Sequence, residues 1–83
     1  MSIKEIRESD NFKRAYQKLD NSIRIKLDKI LLKIMENPEI GKPMMYARKG
    51  TRELYIRPFR LSYYYDYNTQ RLYLLDFYHK DEQ

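Results

Sequence analysis

The sequence contains no cysteine, so neither a disulfide framework nor a thiolate metal site can support its fold. That fits the reducing cytoplasm, the compartment expected for it. No apolar run approaches the roughly 18 residues that a membrane span requires, so no membrane association is expected. The opening run from Met1 to Ile6 is too polar for a secretory signal. There is a single histidine and no tight acidic ligand cluster, so neither a metal nor any other cofactor is expected. No serine stands in an elbow or triad context that would make it a nucleophile. Repeats, low-complexity tracts and linkers are also missing, and the 83 residues read as one domain, 1–83. A chain of that length buries only about 60–65 % of its unfolded surface. One modest core is possible; a roomy internal substrate cavity is not.

What the chain does have is positive charge and tyrosine. Seventeen Lys and Arg against 12 Asp and Glu give a formal charge of +5 and a pI near 9.5. This balance points softly to nucleic acid or to an acidic protein partner. It is equally compatible with a basic domain whose charges are scattered, so the placement of the charges has to decide.

Periodicity supplies that placement. Ser2 to Glu8 reads as a short strand. Ser9 and Asp10 offer N-cap residues, and Phe12, Ala15, Tyr16 and Leu19 follow on one helical face. Asp20, Asn21 and Ser22 break that helix and cap a second one. Its apolar stripe is Ile23, Leu27, Ile30, Leu31, Ile34 and Met35, and Asn37-Pro38 ends it, since the residue before a proline resists the helical conformation. Such a short break implies an antiparallel helical hairpin. Ile25 and Leu32 lie off the stripe, as incidental exposed residues or as a narrow line for a partner chain. Glu39 to Arg48 reads as a loop with a turn at Gly41–Pro43, in which Met44 and Met45 are expected to fill gaps in the core.

Three strand-like runs follow: Arg52–Arg57, Phe59–Tyr65 and Arg71–Lys80, with a tight loop over Asp66–Gln70. Alternation turns Leu54, Ile56, Leu61, Tyr63 and Tyr65 inward. In the last run Tyr73, Leu75 and Phe77 share one face, and Leu72, Leu74, Asp76 and Tyr78 the other. The expected fold class is α+β: an N-terminal strand, then a two-helix hairpin packed on one face of an antiparallel sheet with a three-stranded C-terminal meander.

If the helices cover one sheet face, the other should gather Arg57, Arg60 and Lys80, with Lys49 and Arg52 in the entering loop and Glu53, Tyr55, Tyr64 and Tyr78 among them. Arginine is permanently charged and grips phosphate with a planar fork. Tyrosine stacks on bases. RNA is therefore the leading candidate ligand, and the spacing leaves a protein-docking face and a merely solvated surface open beside it. His79 titrates near neutrality when unperturbed and is either solvated or a proton donor.

Four stretches carry a resemblance: Asn37–Pro43, Arg48–Leu54, Pro58–Asp66 and Leu74–Asp81. Together they resemble the RelE/ParE toxin superfamily, nearest its archaeal RelE branch, over nearly the whole chain. The resemblance implies a RelE-like fold and the toxin of a toxin–antitoxin pair. It implies a ribosome-dependent mRNA endonuclease that cuts the A-site codon by metal-free attack of the 2′-OH, inhibiting translation, with a RelB-like antitoxin as partner. It suggests Arg60 as the transition-state arginine, Lys80 as a phosphate or leaving-group contact, His79 as a general acid, and Arg57 as a further catalytic cation. Arg48, Lys49, Arg52, Tyr55 and Tyr78 would hold the RNA.

The chain also departs from the family pattern. Met44 stands where some members carry a general-base Glu, and Glu53 and Tyr55 stand where others carry lysines. A tyrosine found in a C-terminal extension of some members has no counterpart here. Glu53 and Tyr55 are the local candidates for the base. The alternative is a protein-binding toxin acting on DNA gyrase, as in the ParE branch, or a binding-only relative.

Overall fold

A computed structural model describes residues 3–82; Ser2, where the first expected strand begins, lies outside them. The helices begin where capping chemistry allows. Ser9 precedes α1 (Asp10–Gln17), and its hydroxyl accepts the Phe12 N–H at 3.0 Å. Asp20 precedes α2 (Asn21–Glu36), and its carboxylate accepts the Ile23 N–H at 3.0 Å. That bond is the main reason the Asp20 carboxyl is held below the usual carboxylate range. Arg24 closes the hairpin: it donates to the Tyr16 and Gln17 carbonyls at the end of α1 and lies over the Tyr16 ring. Among the described residues, no helix is long and apolar enough to cross a membrane.

Five strands form one sheet: β1 (Glu5–Glu8), β2 (Lys42–Pro43), β3 (Arg52–Ile56), β4 (Phe59–Asp66) and β5 (Arg71–His79), in the order β1-β5-β4-β3-β2. The meander β3-β4-β5 is antiparallel, as expected. β1 joins its far edge as a parallel strand on β5, which makes the sheet mixed. β2, inside the stretch expected as loop, pairs antiparallel with β3 through Lys42–Glu53 and Pro43–Arg52. Two residues ending in a proline suit an edge, where a missing N–H costs no ladder bond.

One face of this sheet carries the core. Phe12 of α1 and Leu27 and Ile34 of α2 pack with Leu61, Tyr63, Tyr65, Leu72, Leu74 and Phe77. The inward assignment of β3 and β4 agrees with the structure. That of β5 needs correction. Ser62 pairs with Asp76, and Tyr63 pairs with Leu74, so Leu75 is an extra residue in the ladder. Such a bulge reverses the alternation beyond it. Leu72, Leu74 and Phe77 therefore share the buried face, while Tyr73 lies against Tyr64 on the other. Leu72 and Leu74 are 0 % and 2 % exposed and offer nothing to a partner, whereas Ile25 and Leu32 are exposed.

The bulge leaves the Leu75 carbonyl outside the ladder, and the Ser9 hydroxyl donates to it. Ser9 thus caps α1 and ties it to β5. Ser9→Ala removes both bonds and is expected to lower stability by about 1–2 kcal/mol. Urea unfolding followed by circular dichroism reads this as a lower midpoint; an unchanged midpoint would show that the Leu75 carbonyl finds another donor.

Candidate nucleic-acid interface

Alternation in β3 and β4 sends Glu53, Tyr55, Arg60 and Ser62 to the face away from the helices. Glu53 lies opposite Ser62, and Tyr55 opposite Arg60. Across the next ladder Arg60 faces Tyr78 and Ser62 faces Asp76. The result is one row of Tyr55, Arg60 and Tyr78 beside a second row of Glu53, Ser62 and Asp76. Arg57 leaves β3 in the turn to β4, where the Arg57–Pro58 peptide is cis. Lys80 follows the last residue of β5, and its N–H bonds the Pro58 carbonyl at 3.0 Å, which brings the end of β5 against that turn.

These side chains line a single open cleft of about 690 Å³ with Lys42, Glu53, Tyr55, Met44, Ile40 and Leu54. Arg57, Arg60 and Lys80 therefore meet in space, although 23 positions separate the first from the last. Lys42, absent from the expected set, adds a fourth cation. Against these four stands, among the described residues, one carboxylate, Glu53. Concentrated charge of one sign in a concave site attracts an extended anion such as a phosphodiester. The half-exposed Tyr55 ring and the apolar Ile40 and Met44 supply a surface on which a base could rest.

No family model matches the chain, and no curated protein matches it in sequence. Solved structures do. A chain of the RelBE2 toxin–antitoxin complex of Mycobacterium tuberculosis superposes with a TM-score of 0.80 at 22 % identity, covering 92 % of this chain and 96 % of that one. The archaeal RelE–RelB complex of Pyrococcus horikoshii gives 0.77 at 11 % identity, with 100 % of both chains covered. A YoeB/ParE toxin from Agrobacterium tumefaciens gives 0.80 at 16 % identity, over 90 % of this chain and 96 % of that one. The fold is that of the RelE toxins.

Within this RelE-like fold, some expected site residues lie elsewhere. His79 alternates with Tyr78 and points to the helix side of β5, where it meets the Phe59 ring edge-on at 5.5 Å. It lines a separate, smaller cavity with Asn11 and Arg14 of α1 and with Lys18, which caps that helix. Its Nδ1 accepts the Asp81 N–H at 3.2 Å. It therefore lies on the other side of the strand from Arg60. Arg52 is likewise turned away: its NH1 donates to the Glu39 and Gly41 carbonyls at 3.1 and 2.9 Å, so it braces the loop after α2. Lys49 is exposed on the loop before β3 and does not line the cleft. Met45 is 70 % exposed and fills no core gap, whereas Met44 lines the cleft.

Arg48 and Tyr78 stand at the rear of the site, bound to Glu53. Arg48 NH1 lies 2.7 Å from Glu53 Oε2, and the Tyr78 hydroxyl donates to the same oxygen at 2.9 Å. Arg60 NH1 lies 3.7 Å from Oε1. Glu53 is 8 % exposed, so the expected base is a largely covered carboxylate with three partners. Tyr78, then Glu53, hold the Arg48 guanidinium more firmly charged than usual. Among the described residues, no group of three His, Cys, Asp or Glu side chains could hold a metal ion.

The loop that carries Ile40, Lys42 and Met44 is fixed from beneath by Tyr63. This buried phenol donates to the Pro38 carbonyl at 2.7 Å and accepts the Gly41 N–H at 2.9 Å. Burial is the main cause of its raised pKa. The sequence marks Tyr63 as core but gives no sign of this tie.

Proposed function

We propose that the chain is the toxin of a toxin–antitoxin pair and acts in the cytoplasm as a ribosome-dependent mRNA endonuclease. The observation that carries this reading is the convergence of Arg57, Arg60 and Lys80 on one open cleft within a RelE-like fold. The substrate is the mRNA codon in the ribosomal A site. Its 2′-OH attacks the adjacent phosphorus, giving up its proton to solvent, and the bond to the 5′ oxygen breaks; that oxygen takes up a proton, leaving a 2′,3′-cyclic phosphate and a 5′-OH. Negative charge grows on the equatorial oxygens as this happens. Arg60 and Arg57 neutralise it from fixed positions, and fixed charges need no reorganisation at the moment of reaction. Lys80 serves the leaving oxygen. The ribosome holds the reacting groups in line.

Primer extension on a translated message, with and without the protein, tests this reading. Breaks confined to the A-site codon support it. Uncut message, together with capture of DNA gyrase, would favour a binding toxin. One observation keeps that second reading in play: among the described residues, the carboxylate that lines the cleft is already engaged, which leaves Tyr55 as the local candidate for the base. The same assay separates two neighbours. Lys80→Ala is expected to lower cleavage at least tenfold. His79→Ala should leave it within a few-fold, whereas loss of a general acid costs about 10²–10⁴.

The partner in this reading is a RelB-like antitoxin, acidic and folding as it binds. The matched structures from M. tuberculosis and P. horikoshii are themselves toxin–antitoxin complexes. Ile25 and Leu32 on α2 offer it an exposed apolar line.

A further inference from the structure

We propose that Glu53 is a positioning residue, not the proton acceptor: its covered carboxylate holds Arg48 and Tyr78 in place and sets Arg60 at the cleft. This rests on the endonuclease reading only for its effect on cleavage.

The argument starts from burial. A carboxylate with 8 % of its surface exposed has lost most of its hydration and must be compensated by charge and hydrogen bonds. Glu53 obtains that compensation from three separate segments. Arg48 comes from the 3₁₀ turn Tyr46–Arg48, Arg60 from β4 and Tyr78 from β5. Sheet register makes this possible. Glu53 faces Ser62 directly, so Arg60 is its diagonal neighbour on the same face, two residues along β4.

The two oxygens differ. Oε2 accepts from both Arg48 and Tyr78, which occupies its lone pairs in the plane. Oε1 faces Arg60 at 3.7 Å, an ion-pair distance too long for a hydrogen bond. Arg60 is thus drawn towards Glu53 without being consumed, and its remaining N–H groups stay available to a phosphate. A general base needs an uncommitted oxygen within about 2.6–3.2 Å of the proton it takes. Oε2 is committed, and Oε1 is turned to a guanidinium. The other charged or titratable groups facing this carboxylate are Lys42, paired with it from β2, and Asp76, beyond Ser62 in the same row.

Glu53 also subtracts one charge from a cationic cleft. Removing that charge should therefore help a polyanion bind while it slows the reaction. A proton acceptor and a purely structural carboxylate predict different patterns.

The test is Glu53→Gln in the full chain, with three readouts. Arginine Nε–H resonances of the ¹⁵N-labelled protein report whether Arg48 and Arg60 stay ordered. Fluorescence anisotropy with a 2′-O-methyl RNA oligonucleotide reports affinity. Single-turnover cleavage on programmed ribosomes reports chemistry. The expected pattern is loss of protection at both arginines, binding equal or a few-fold tighter, and cleavage slowed about ten- to a hundredfold, the scale of misplacing one charge-stabilising group. Tyr78→Phe, which removes one donor and keeps the ring, should shift Arg48 alone and give a milder loss of cleavage. Unchanged arginine resonances in Glu53→Gln overturn the proposal whatever the cleavage rate. So does cleavage falling to background with both arginines still ordered, the mark of a lost base. If the wild type does not cut, the endonuclease reading fails, and the arginine resonances still decide the role of Glu53.

Discussion

Arg60→Ala is expected to reduce A-site cleavage about 10²–10³-fold, the usual loss when a pre-aimed donor to a developing oxyanion is removed. The fold should survive. Arg60 is partly exposed on the sheet face away from the core, and its neighbours across the ladders are Tyr55 and Tyr78. Its one ion pair is the long one to Glu53, whose other oxygen keeps Arg48 and Tyr78. The change should therefore cost less than about 1 kcal/mol, or roughly 4–8 °C in Tm for a domain of this size. Arg60→Lys sharpens the test. It restores charge without the planar fork, so it should recover part of the activity and not all of it. Primer extension paired with a thermal melt makes both comparisons. A folded Arg60→Ala protein that arrests translation like the wild type would remove the endonuclease proposal.

That expectation can be reached from sequence because Arg60 obeys alternation. Its strand has a single phase from Phe59 to Asp66, and every other residue packs on the helices. The helices were legible for the same kind of reason: Ser9 and Asp20 stand where caps are needed, and the apolar positions repeat at helical spacing. Legibility stops where contacts are set by distant residues. The bulge at Leu75 has no local sign; it is fixed by Ser9, 66 positions away. The two-residue β2 is too short to show a period. The partners of Glu53 lie 5, 7 and 25 positions off, so its cover could not be inferred from β3 alone.

Two residues could have been placed better from the sequence. Arg52 shares its parity with Leu54 and Ile56, and His79 with Phe77, all on the helix side. Alternation already places both on the side away from Arg60; the resemblance brings His79 into the expected site, and taking Arg52 as part of the entering loop hides its place in the pleat. A resemblance transfers residue types along a chain. The pleat decides which side of the sheet they reach, and here it separates Lys80, which is in the cleft, from His79, which is not.

Gly41→Ala is expected to cost about 3–5 kcal/mol, a large part of the 5–15 kcal/mol that holds a typical domain. The reason is close approach. A Cβ on Gly41 would lie 2.6 Å from Tyr63 Oη and 2.8 Å from Cε1 of the same ring. Tyr63 is 0 % exposed, packed in the core and without room to retreat. Either the loop lifts or the ring shifts, and both break the bonds from Gly41 N–H to Tyr63 and from Tyr63 to the Pro38 carbonyl. Tyr63→Phe removes those two bonds without the clash and should cost about 1–3 kcal/mol. In the double variant the oxygen at 2.6 Å is gone, so the two losses should sum to more than the measured total. Additive losses in urea unfolding would mean that Gly41 and Tyr63 act independently. The loop at stake carries Ile40, Lys42 and Met44 into the cleft. Gly41→Ala should therefore weaken RNA binding even in the fraction that stays folded, and equal affinity per folded molecule would show that this wall of the cleft is dispensable.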